Sequence, residues 1–571
     1  MKKLINSPQT VVPEMLEGLV LLYPGLDGVP GQPVLIRSDI EMVRQQQVSI
    51  ISGGGSGHEP AHAGYVGSGM LSAAVAGEVF TSPTPDAILG ALRVTTGSPG
   101  ALLIVKNYTG DRLNFGLAAE MFRAQGHFVE MVVVADDVAL ADSTNHAGRR
   151  GLAGTILVHK IAGAAAEAGA SVSEVAAEAR AAASAVRTMG VALTPCIVPA
   201  AGQPGFTLGR DEIELGLGIH GEPGVRREAL QSADRLVDEL LEPILKDLQL
   251  TAGERVVLLV NNLGATPTIE LAIVARRALT VIEQRGILVE RAYAGTFLSA
   301  LEMAGVSLSV MRVDDERLRR LDAPTGAPAW PNAAAQPRAR QRSKPHLDQS
   351  IPEPGKSVGK PVTHAGQVLE QVLSDVCEAL IHQAPQFTEM DREVGDGDLG
   401  ISLARGAQAM RDQLPMIDLD DPTRTLYDLG MTVQRVMGGT SGALYSVFLL
   451  RASRLFHEEA QPGLAAWARV FRGASEAIRE FGGAEPGDRT MLDALLPAVA
   501  AVEAGAARGL TAAETLDRAA TEASAGAEAT KTMLPRRGRS SYVGERVLGF
   551  PDPGAAAVAA WLRVVARAFQ E

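Results

Sequence analysis

The sequence predicts an α/β N-terminal domain with two α/β subdomains, joined by a proline-rich linker to an all-α C-terminal domain that forms a helical barrel or bundle. Three observations lead to this prediction. Short Val- and Ile-rich runs alternate with Ala-rich stretches in the N-terminal part, eight prolines follow between Asp322 and Val362, and apolar residues beyond them recur with helical spacing. We therefore predict domains at residues 1–325 and 363–571, with a linker at residues 326–362.

The strand signals of the N-terminal domain are short apolar runs, most of them followed closely by Gly, Asn or Asp. Helical length and composition mark the stretches Leu152–Ala168 and Val172–Met189. Alternation of strands and helices favours a predominantly parallel sheet, and the length of the region favours two subdomains. The predicted strands are Val48–Ser52, Leu102–Lys106, Met131–Ala135, Val256–Val260 and Val306–Val310.

The linker is predicted from its proline density and from its lack of apolar periodicity. Proline has no backbone N–H and fixes its own φ, so this density is incompatible with helices and central strands and favours an extended, semi-rigid segment. Four basic residues allow a second interpretation, a basic binding patch, but a solvated linker is favoured. These residues are Arg338, Arg340, Arg342 and Lys344.

Helical periodicity dominates the C-terminal domain. Apolar residues at 368–380 follow the 3.6-residue spacing of an amphipathic helix. Only Leu444–Leu450 resembles a strand, and its neighbours favour a helix equally. The other predicted helices are Ala465–Phe481, Met491–Ala504, Ala512–Ala527 and Ala555–Phe569. Together these segments predict an all-α domain.

Composition excludes several classes of partner. Acidic residues outnumber basic ones, 66 Asp and Glu against 53 Lys and Arg, and the net charge of −13 disfavours nucleic acid, whose phosphates require basic surfaces. Cys196 and Cys377 are too few for a disulfide framework and lack zinc-site spacing, which favours a reducing compartment. No run of about 18 apolar residues is free of charges and breakers, so no membrane span is expected. We therefore predict a cytoplasmic enzyme.

A glycine-rich stretch follows the first clear strand. Ser52–Pro60 reads SGGGSGHEP, which predicts a loop whose backbone N–H groups can approach a small ligand closely. His58 is then a candidate acid or base, and the alternative is a capping histidine in a tight turn. Lys106 and Asp111 follow the next predicted strand, at the sheet edge where parallel sheets bind ligands. They are candidates for binding hydroxyls and accepting a proton, or else they form a surface ion pair.

His220 lies among the glycines of Leu215–Gly224. Little side-chain cover is expected there, so we predict an imidazole that is exposed to a ligand and can act as a nucleophile. The same segment matches G-x-G-x-x-G at Gly216–Gly221, but a turn and not a helix follows, which argues against a dinucleotide site. Gly355–Ser357 is similar to the end of a P-loop, but Ser350 stands where the first glycine is required.

Three aspartates, Asp391, Asp396 and Asp398, are separated by glycines that let their carboxylates converge at a helix–loop junction. Converging carboxylates repel each other unless a cation is bound, and hard oxygen ligands suit Mg²⁺ together with nucleotide phosphates. The alternative is a solvated acidic turn. Glycine-rich turns further along add phosphate-binding capacity through backbone N–H groups and hydroxyls. These turns are residues 437–443, 482–491, 538–546 and 552–554.

Taken together, these motifs resemble the single-chain dihydroxyacetone kinase family, and the resemblance covers nearly the whole chain. The N-terminal motifs are similar to the family's ketose-binding domain and the C-terminal motifs to its helical nucleotide-binding domain. The N-terminal motifs read GGGSGHEPAHAGYVGSGMLSAAVAGEVFTSP, KNYTGD, GRRGLAGTILVHKIAGA and GLGIHGEPG. The C-terminal motifs read DREVGDGDLG, GGTSGALY, PGDRTMLDAL and GRSSYVGERVLGFPDPGA.

The resemblance implies an ATP-dependent ketose kinase with Mg²⁺ as cofactor and ATP as co-substrate. His220 is implied to add to the substrate carbonyl as a covalent hemiaminal, with His58 and Asp111 as acid/base residues. The implied substrate-binding residues are Gly55, Ser56, Gly57, His58, Lys106 and Asp111, and the implied metal ligands are Asp391, Asp396 and Asp398. The implied nucleotide contacts are Leu399, Gly400, Ile401, Ser402, Thr440, Ser441, Gly482, Met491, Arg539, Asp552, Pro553 and Gly554.

Two residues depart from the family pattern. Leu399 stands where His or Cys is expected, and Phe550 where a polar His is usual.

Dihydroxyacetone is the expected substrate, and a four- or five-carbon ketose, erythrulose or apulose, is the alternative. A protein of another class, which binds ketose and keeps its nucleotide as a coenzyme, is the second alternative. The resemblance further implies a homodimer in which the helical domain of one subunit packs over the ketose site of the other.

Overall fold

The computed structural model describes residues 2–140, 148–220, 224–331, 363–395, 397–437, 439–459, 463–537, 539–542 and 544–570. The chain divides into two compact units, Met1–Ser343 and Lys344–Glu571. Most of the predicted linker, including its four basic residues, lies outside the described residues, so its conformation stays a prediction. The predicted domain boundaries likewise stay predictions.

Six strands form the first sheet of the N-terminal unit: β1 (Leu26–Gly28), β2 (Val34–Arg37), β3 (Ser49–Ser56), β4 (Ala73–Val79), β5 (Ala101–Lys106) and β6 (Val129–Val134). Their order is β1-β2-β4-β3-β5-β6. β4, β3, β5 and β6 pair in parallel, whereas β2 pairs antiparallel with β1 and β4. The helices of this part are α1 (Val11–Leu22), α2 (Ile40–Val43), α3 (Pro85–Thr95) and α4 (Thr109–Ala124). β3 and β5 are buried at every residue, as expected for parallel strands covered on both faces.

The second sheet of this unit is mostly antiparallel. Its region contains α5 (Thr155–Glu167), α6 (Val172–Ala185), β7 (Val186–Ala192), β8 (Glu212–Leu215), β9 (Arg226–Ala229), α7 (Ala233–Asp247), β10 (Arg255–Asn262), α8 (Thr268–Gln284), β11 (Leu288–Gly295), β12 (Gly305–Arg312) and α9 (Asp315–Asp322). The order is β11-β10-β12-β7-β8-β9, and only β10 and β11 pair in parallel. The prediction of a predominantly parallel sheet is therefore wrong here. β7, β8 and β9 follow one another with no crossover helix among the described residues, and parallel neighbours require such a crossover.

The predicted helix Val172–Met189 ends earlier than expected, because β7 begins at Val186. Val186 pairs with Met311 of β12 and Thr188 pairs with Ser309. Val186 and Thr188 are both β-branched, and such side chains pack better on a pleated strand than in a helix. Pairing with β12 therefore overrides the helical pattern of the preceding residues.

The first half of the glycine-rich stretch, Ser52–Ser56, belongs to a strand and not to the predicted loop, since β3 continues to Ser56. A Cβ at Gly53 would lie 2.3 Å from the carbonyl oxygen of Val75, and one at Gly55 would lie 2.6 Å from the backbone nitrogen of Thr81. The neighbouring chain thus approaches so closely that only glycine fits at these positions.

The C-terminal unit consists of helices. They are α10 (His364–His382), α11 (Ala384–Val394), α12 (Leu399–Gln413), α13 (Pro422–Val436), α14 (Gly439–His457), α15 (Leu464–Gly482), α16 (Leu492–Ala507), α17 (Ala512–Ala529) and α18 (Pro553–Ala568). Consecutive helices from α11 to α18 pack against each other, and α18 also packs against α10 and α11, which closes the arrangement. The predicted all-α barrel or bundle is confirmed, and Leu444–Leu450 is part of α14.

Candidate active site

Lys106 and Asp111 stand at the carboxyl edge of the first sheet. Lys106 is the last residue of β5, and Asp111 lies in the first turn of α4. Both side chains are buried, and they converge on Gly54 in β3. A Cβ at Gly54 would lie 2.6 Å from Lys106 Nζ and 3.6 Å from Asp111 Oδ2. The two residues therefore form a buried charged pair against the glycine-rich strand and not a surface ion pair.

The opposite charges of Lys106 and Asp111 stabilise each other. Burial raises the pKa of the Asp111 carboxyl, and the Lys106 ammonium opposes that rise. Burial lowers the pKa of Lys106, which the charges of Asp111 and Glu59 oppose. Each partner thus favours the ionised form of the other. A carboxylate beside an ammonium can bind a hydroxyl group and accept its proton.

The His58 ring is buried and offers one free nitrogen. Its Nδ1 lies 2.9 Å from the carbonyl oxygen of Ser299, so Nδ1 carries the proton and donates it there. Among the described residues Nε2 has no hydrogen-bond partner. It is an unprotonated acceptor, because the single ring proton is on Nδ1. Burial lowers the pKa of His58 well below its usual value, and the ring is neutral near pH 7. His58 can accordingly accept a proton from a bound ligand.

His220 is enclosed by aromatic rings, which corrects the prediction of little side-chain cover. Its ring centroid lies 4.9 Å from that of His58, 5.5 Å from that of Phe80 and 4.4 Å from that of Tyr108. Burial lowers the pKa of His220 to about 3, with Lys106 and other nearby cations contributing. The imidazole is therefore neutral at physiological pH, and a neutral ring nitrogen is the form that can act as a nucleophile. The residues that directly follow, 221–223, lie outside the described part of the chain.

The other predicted ketose-binding residues have structural partners. Ser56 Oγ donates to the carbonyl oxygen of Gly77 at 2.7 Å. The Gly57 N–H is shared between the two carboxylate oxygens of Glu59, at 3.1 and 3.0 Å. Gly55 belongs to β3 and lies against the turn after β4. These residues shape the wall of the site through close backbone approach.

Sequence reasoning missed the aromatic and backbone partners of the two histidines. Phe80 stacks on His58 with ring centroids 5.0 Å apart, and Tyr108 contacts His220. Both residues lie within motifs quoted above, Phe80 within EVFTSP and Tyr108 within KNYTGD, so their position in the sequence was a usable signal. Ser299 is remote in sequence from His58 and carried no such signal.

The aspartate motif occupies the junction between α11 and α12. Asp391 lies in the last turn of α11, and Asp398 is the N-cap residue of α12. Asp391 Oδ2 accepts the backbone N–H of Asp398 at 2.9 Å and that of Leu399 at 3.2 Å. Asp396 lies outside the described residues. Within the described part of the chain no group of three or more metal-ligating side chains is found, but the donor set, carboxylate oxygens at one junction, suits Mg²⁺.

Three of the predicted nucleotide residues meet at the start of α18. Asp552 is the N-cap of this helix, and its Oδ1 accepts the backbone N–H of Ala555 at 2.8 Å. A Cβ at Gly554 would lie 3.1 Å from Asp552 Oδ1 and 3.5 Å from Met491 Cβ. Pro553 is the first residue of α18 and is buried. A helix N-terminus of this kind can bind a phosphate group.

Asp552 also links this turn to the aspartate motif. Burial raises the pKa of Asp552 to about 6, Arg489 opposes the rise, and the charges of Asp493 and Asp391 add to it. The predicted metal ligand Asp391 and the predicted nucleotide contact Asp552 therefore lie within electrostatic range of each other. The structure brings these two motifs together from opposite ends of the helical unit.

Residues 437–443 were predicted as a glycine-rich turn, but residues 439–443 form the beginning of α14. Leu399 packs in one apolar cluster with Met437 and with Ala557 of α18, so the start of α14 lies in the same part of the unit. Gly482 ends α15, and a Cβ there would lie 3.3 Å from Leu444 Cδ2. Leu444 is about one helical turn beyond Thr440 and Ser441, which lie in the first turn of α14.

The remaining predicted nucleotide contacts differ in their surroundings. A Cβ at Gly400 would lie 2.0 Å from the carbonyl oxygen of Ala384, so α12 packs closely on α11. Ser402 is buried, whereas the Ile401 side chain is 62% exposed and is not brought into this cluster. Arg539 begins a short 3₁₀ turn, and its side chain lies outside the described part of the structure.

Two family models match the chain, the Dak1 domain at residues 17–329 and the DAK2 domain at residues 393–567. The chain belongs to the dihydroxyacetone kinase family of ketose kinases. The matches cover the two units that carry the sites described above. None of the described helices has both the length and the apolar character needed to span a membrane.

Members of the dihydroxyacetone kinase family align with the whole chain. A putative 3,4-dihydroxy-2-butanone kinase of Solanum lycopersicum is 47% identical, over 100% of this chain and 98% of its own length. The Homo sapiens triokinase/FMN cyclase is 43% identical, over 100% and 99% respectively. Among solved structures, the dihydroxyacetone kinase from C. freundii in complex with AMP-PNP and Mg²⁺ is 33% identical, covers 99% of each chain and has a TM-score of 0.62.

Proposed function

We propose that this protein transfers the γ-phosphate of ATP to a terminal hydroxyl of a small ketose, with dihydroxyacetone as the favoured substrate and His220 as its covalent anchor. The observation that carries the proposal is the enclosed, neutral imidazole of His220 beside the free Nε2 of His58. The names of the relatives, kinases of dihydroxyacetone and of a dihydroxybutanone, support the same class of substrate.

In the anchoring step, the lone pair of a His220 ring nitrogen adds to the ketose carbonyl carbon and a hemiaminal forms. The carbonyl oxygen gains a proton, and the other His220 ring nitrogen loses one, so the step is balanced. His58, with an unprotonated Nε2 and a ring centroid 4.9 Å from that of His220, can relay that proton. Glycerol has no carbonyl and cannot form this bond, which provides discrimination against it.

In the transfer step, the anchored ketose must present a hydroxyl whose proton is removed as the new bond to phosphorus forms. Asp111 is the favoured base, because the Lys106 ammonium keeps a carboxylate in the ionised form even when it is buried. Lys106 is also a hydrogen-bond donor for a ketose oxygen. The covalent anchor reduces the motion of a substrate that offers few contacts of its own.

The nucleotide is proposed to bind at the helical unit. Asp391, Asp396 and Asp398 would hold Mg²⁺, and the ion when bound would neutralise charge on the phosphates. The helix N-terminus at Asp552 and the hydroxyl groups of Thr440 and Ser441 would donate to phosphate oxygens. The remaining proposed contacts are Leu399, Gly400, Ile401, Ser402, Gly482, Met491, Arg539, Pro553 and Gly554.

Several finer points belong to the same proposal. Cytoplasmic localisation follows from the reducing environment that cysteine usage favours. A homodimer, with the helical domain of one subunit over the ketose site of the other, follows from the family resemblance, and sedimentation analysis of the purified protein tests the dimer. The two alternatives are a kinase for a four- or five-carbon ketose and a ketose-binding protein that keeps its nucleotide as a coenzyme.

The test is ADP release by the purified chain with Mg²⁺–ATP and dihydroxyacetone, erythrulose, apulose or glycerol. We expect turnover of the ketoses, with the highest kcat/KM for dihydroxyacetone, and little turnover of glycerol. A higher kcat/KM for erythrulose or apulose would assign the substrate to the longer ketoses. Ketose binding without turnover of free ATP would favour the coenzyme alternative and contradict the proposal.

A further inference from the structure

A buried imidazole, that of His62, contacts the ammonium group of Lys106. His62 Nε2 lies 2.7 Å from Lys106 Nζ. The His62 residue is 6% exposed and Lys106 is fully buried, so bulk solvent does not reach their contact. His62 has no part in the anchoring or transfer steps described above.

The hydrogen bonds around His62 determine which of its nitrogens carries the proton. Ser52 Oγ donates its single proton to the carbonyl oxygen of Ile104 at 2.6 Å. The same oxygen therefore accepts from His159 Nε2 at 3.1 Å and from His62 Nδ1 at 3.4 Å. His62 then carries its proton on Nδ1, and its Nε2 is a lone-pair acceptor for the ammonium of Lys106.

This acceptor fixes the direction of the ammonium. Lys106 has a flexible four-carbon side chain, and a buried ammonium retains a defined position only where acceptors surround it. His62 Nε2 lies 2.7 Å from Nζ, and the Cβ position of Gly54 lies 2.6 Å from Nζ and 3.6 Å from Asp111 Oδ2, so the ammonium is held between these groups.

We infer that His62 is a positioning residue, which holds the Lys106 ammonium against Gly54 and beside Asp111 so that it can donate to the bound ketose. The inference rests on the proposed function, since it assigns Lys106 to ketose binding. In this role His62 acts through Lys106.

Loss of the acceptor has a distinct electrostatic consequence. A hydrogen bond accepted from the ammonium favours the charged form, so its removal lowers the pKa of Lys106, which burial already depresses. Ketose binding should then weaken as the pH rises, because the ammonium loses its proton earlier. The titratable groups that influence Lys106 or are influenced by it are Asp111, Glu59, His58, His62, His159 and His220.

The experiment compares His62→Leu, which removes the acceptor, with His62→Gln, whose Oε1 can replace Nε2. His159→Leu is the matched control, since it removes a buried imidazole of the same cluster that does not contact Lys106. Dihydroxyacetone binding to the full chain is measured by calorimetry from about pH 6.5 to about pH 9.5, below the ordinary lysine pKa of about 10.4. KM and kcat are measured alongside.

We expect His62→Leu to weaken ketose binding at least about tenfold near neutral pH, with a loss that grows as the pH rises and a larger effect on KM than on kcat. His62→Gln should recover most of the affinity, and His159→Leu should keep the wild-type pH profile. Wild-type affinity across the pH range in His62→Leu would overturn the inference. Equal losses in all three variants, with lowered unfolding temperatures and an unchanged pH profile, would also overturn it, because they would indicate a purely structural role.

The experiment distinguishes a failure of the proposed function from a failure of the inference about His62. If the wild-type chain binds no ketose at any pH, the proposed function and this inference both fall. If it binds ketose without releasing ADP, the kinase assignment fails, while the binding profiles of the variants still decide the role of His62.

Discussion

The rings of His58 and His220 meet nearly edge to face, with centroids 4.9 Å apart and an interplanar angle of 69°. His58 follows β3 of the first sheet and His220 follows β8 of the second, so this contact exists only because the two subdomains pack together. Residues of both sheets, such as Ile50 and Leu259, share one buried apolar cluster. The packing of this shared core keeps the two imidazole rings next to each other.

Asp111 and His58 should have separable effects on the reaction. We expect Asp111→Asn to lower kcat by at least about a hundredfold, since a positioned base contributes roughly 10²–10⁴-fold, while the adduct at His220 still forms. His58→Ala should impair both adduct formation and transfer, because its free Nε2 lies beside His220. Steady-state kinetics together with ketose binding measure both effects. A kcat for Asp111→Asn within a few-fold of wild type would place the base elsewhere.

Gly54→Ala should damage the ketose site. The added Cβ would lie 2.6 Å from Lys106 Nζ, and the φ of +155° at this position disfavours any L side chain. We expect kcat/KM for the ketose to fall at least about tenfold as Lys106 is displaced, with Mg²⁺–ATP binding unchanged. Gly31→Ala is the control, since Gly31 also has a positive φ but nothing within 4 Å of its Cβ position. Comparable losses in both variants would show that backbone strain alone explains the result.

Ketose binding should tolerate mild acid. The pKa of His220 is lowered to about 3, so its imidazole stays neutral as the pH falls from about 7.5 to about 5.5 and becomes protonated only in stronger acid. For an imidazole with the ordinary pKa of about 6.5, the neutral fraction would fall roughly tenfold over that interval. Calorimetric titration with dihydroxyacetone at several pH values tests this. A loss of affinity with a midpoint near pH 6.5 would contradict the enclosed-imidazole account.

The aspartate motif should be required for nucleotide binding but not for ketose binding. Asp396→Ala and Asp398→Ala should abolish Mg²⁺–ATP binding, because removal of a hard oxygen ligand weakens the cation site, and ketose binding should persist. Asp412→Ala is the control, an exposed carboxylate further along the same helix, α12. Calorimetry with Mg²⁺–ATP and with dihydroxyacetone separates the two sites. Ketose phosphorylation at normal Mg²⁺ levels by either aspartate variant would exclude these residues as the metal ligands.

The sequence predicted the positions of the candidate site residues better than it predicted their surroundings. His58, Lys106 and Asp111 follow buried strands of the first sheet, where local pattern and sheet geometry suffice to place them. The enclosure of His220 by Phe80 and Tyr108 required knowledge of tertiary packing, and the glycine framing suggested the opposite. The chemistry of a residue is readable locally, whereas its burial depends on distant neighbours.

The fold likewise has features that a local sequence pattern predicts and features that depend on distant contacts. Strands β5 and β10 were predicted because each contains a continuous apolar run, the first half of β3 was predicted from the short run Val48–Ser52, and the helical character of the C-terminal unit follows from periodicity. The antiparallel pairing of β7 with β12 depends on contacts between residues more than a hundred positions apart, which no local pattern encodes. Helices α11, α12 and α13 were not predicted, although buried apolar residues recur at helical spacing in them: Phe387 and Val394 in α11, Leu399 and Leu403 in α12, and Leu429 and Val433 in α13.

The most direct test of the central claim follows the carbonyl carbon of dihydroxyacetone labelled with ¹³C at C2, by NMR on the full chain without nucleotide. With the wild-type protein we expect the bound ketone signal to be replaced by a signal of a tetrahedral carbon, distinct from that of the free hydrate. In His220→Ala we expect no such signal and a loss of discrimination against glycerol in the kinase assay. A tetrahedral adduct signal that persists in His220→Ala, or a bound ketone signal that stays unchanged in an active wild-type protein, would contradict the assignment of His220 as the covalent anchor.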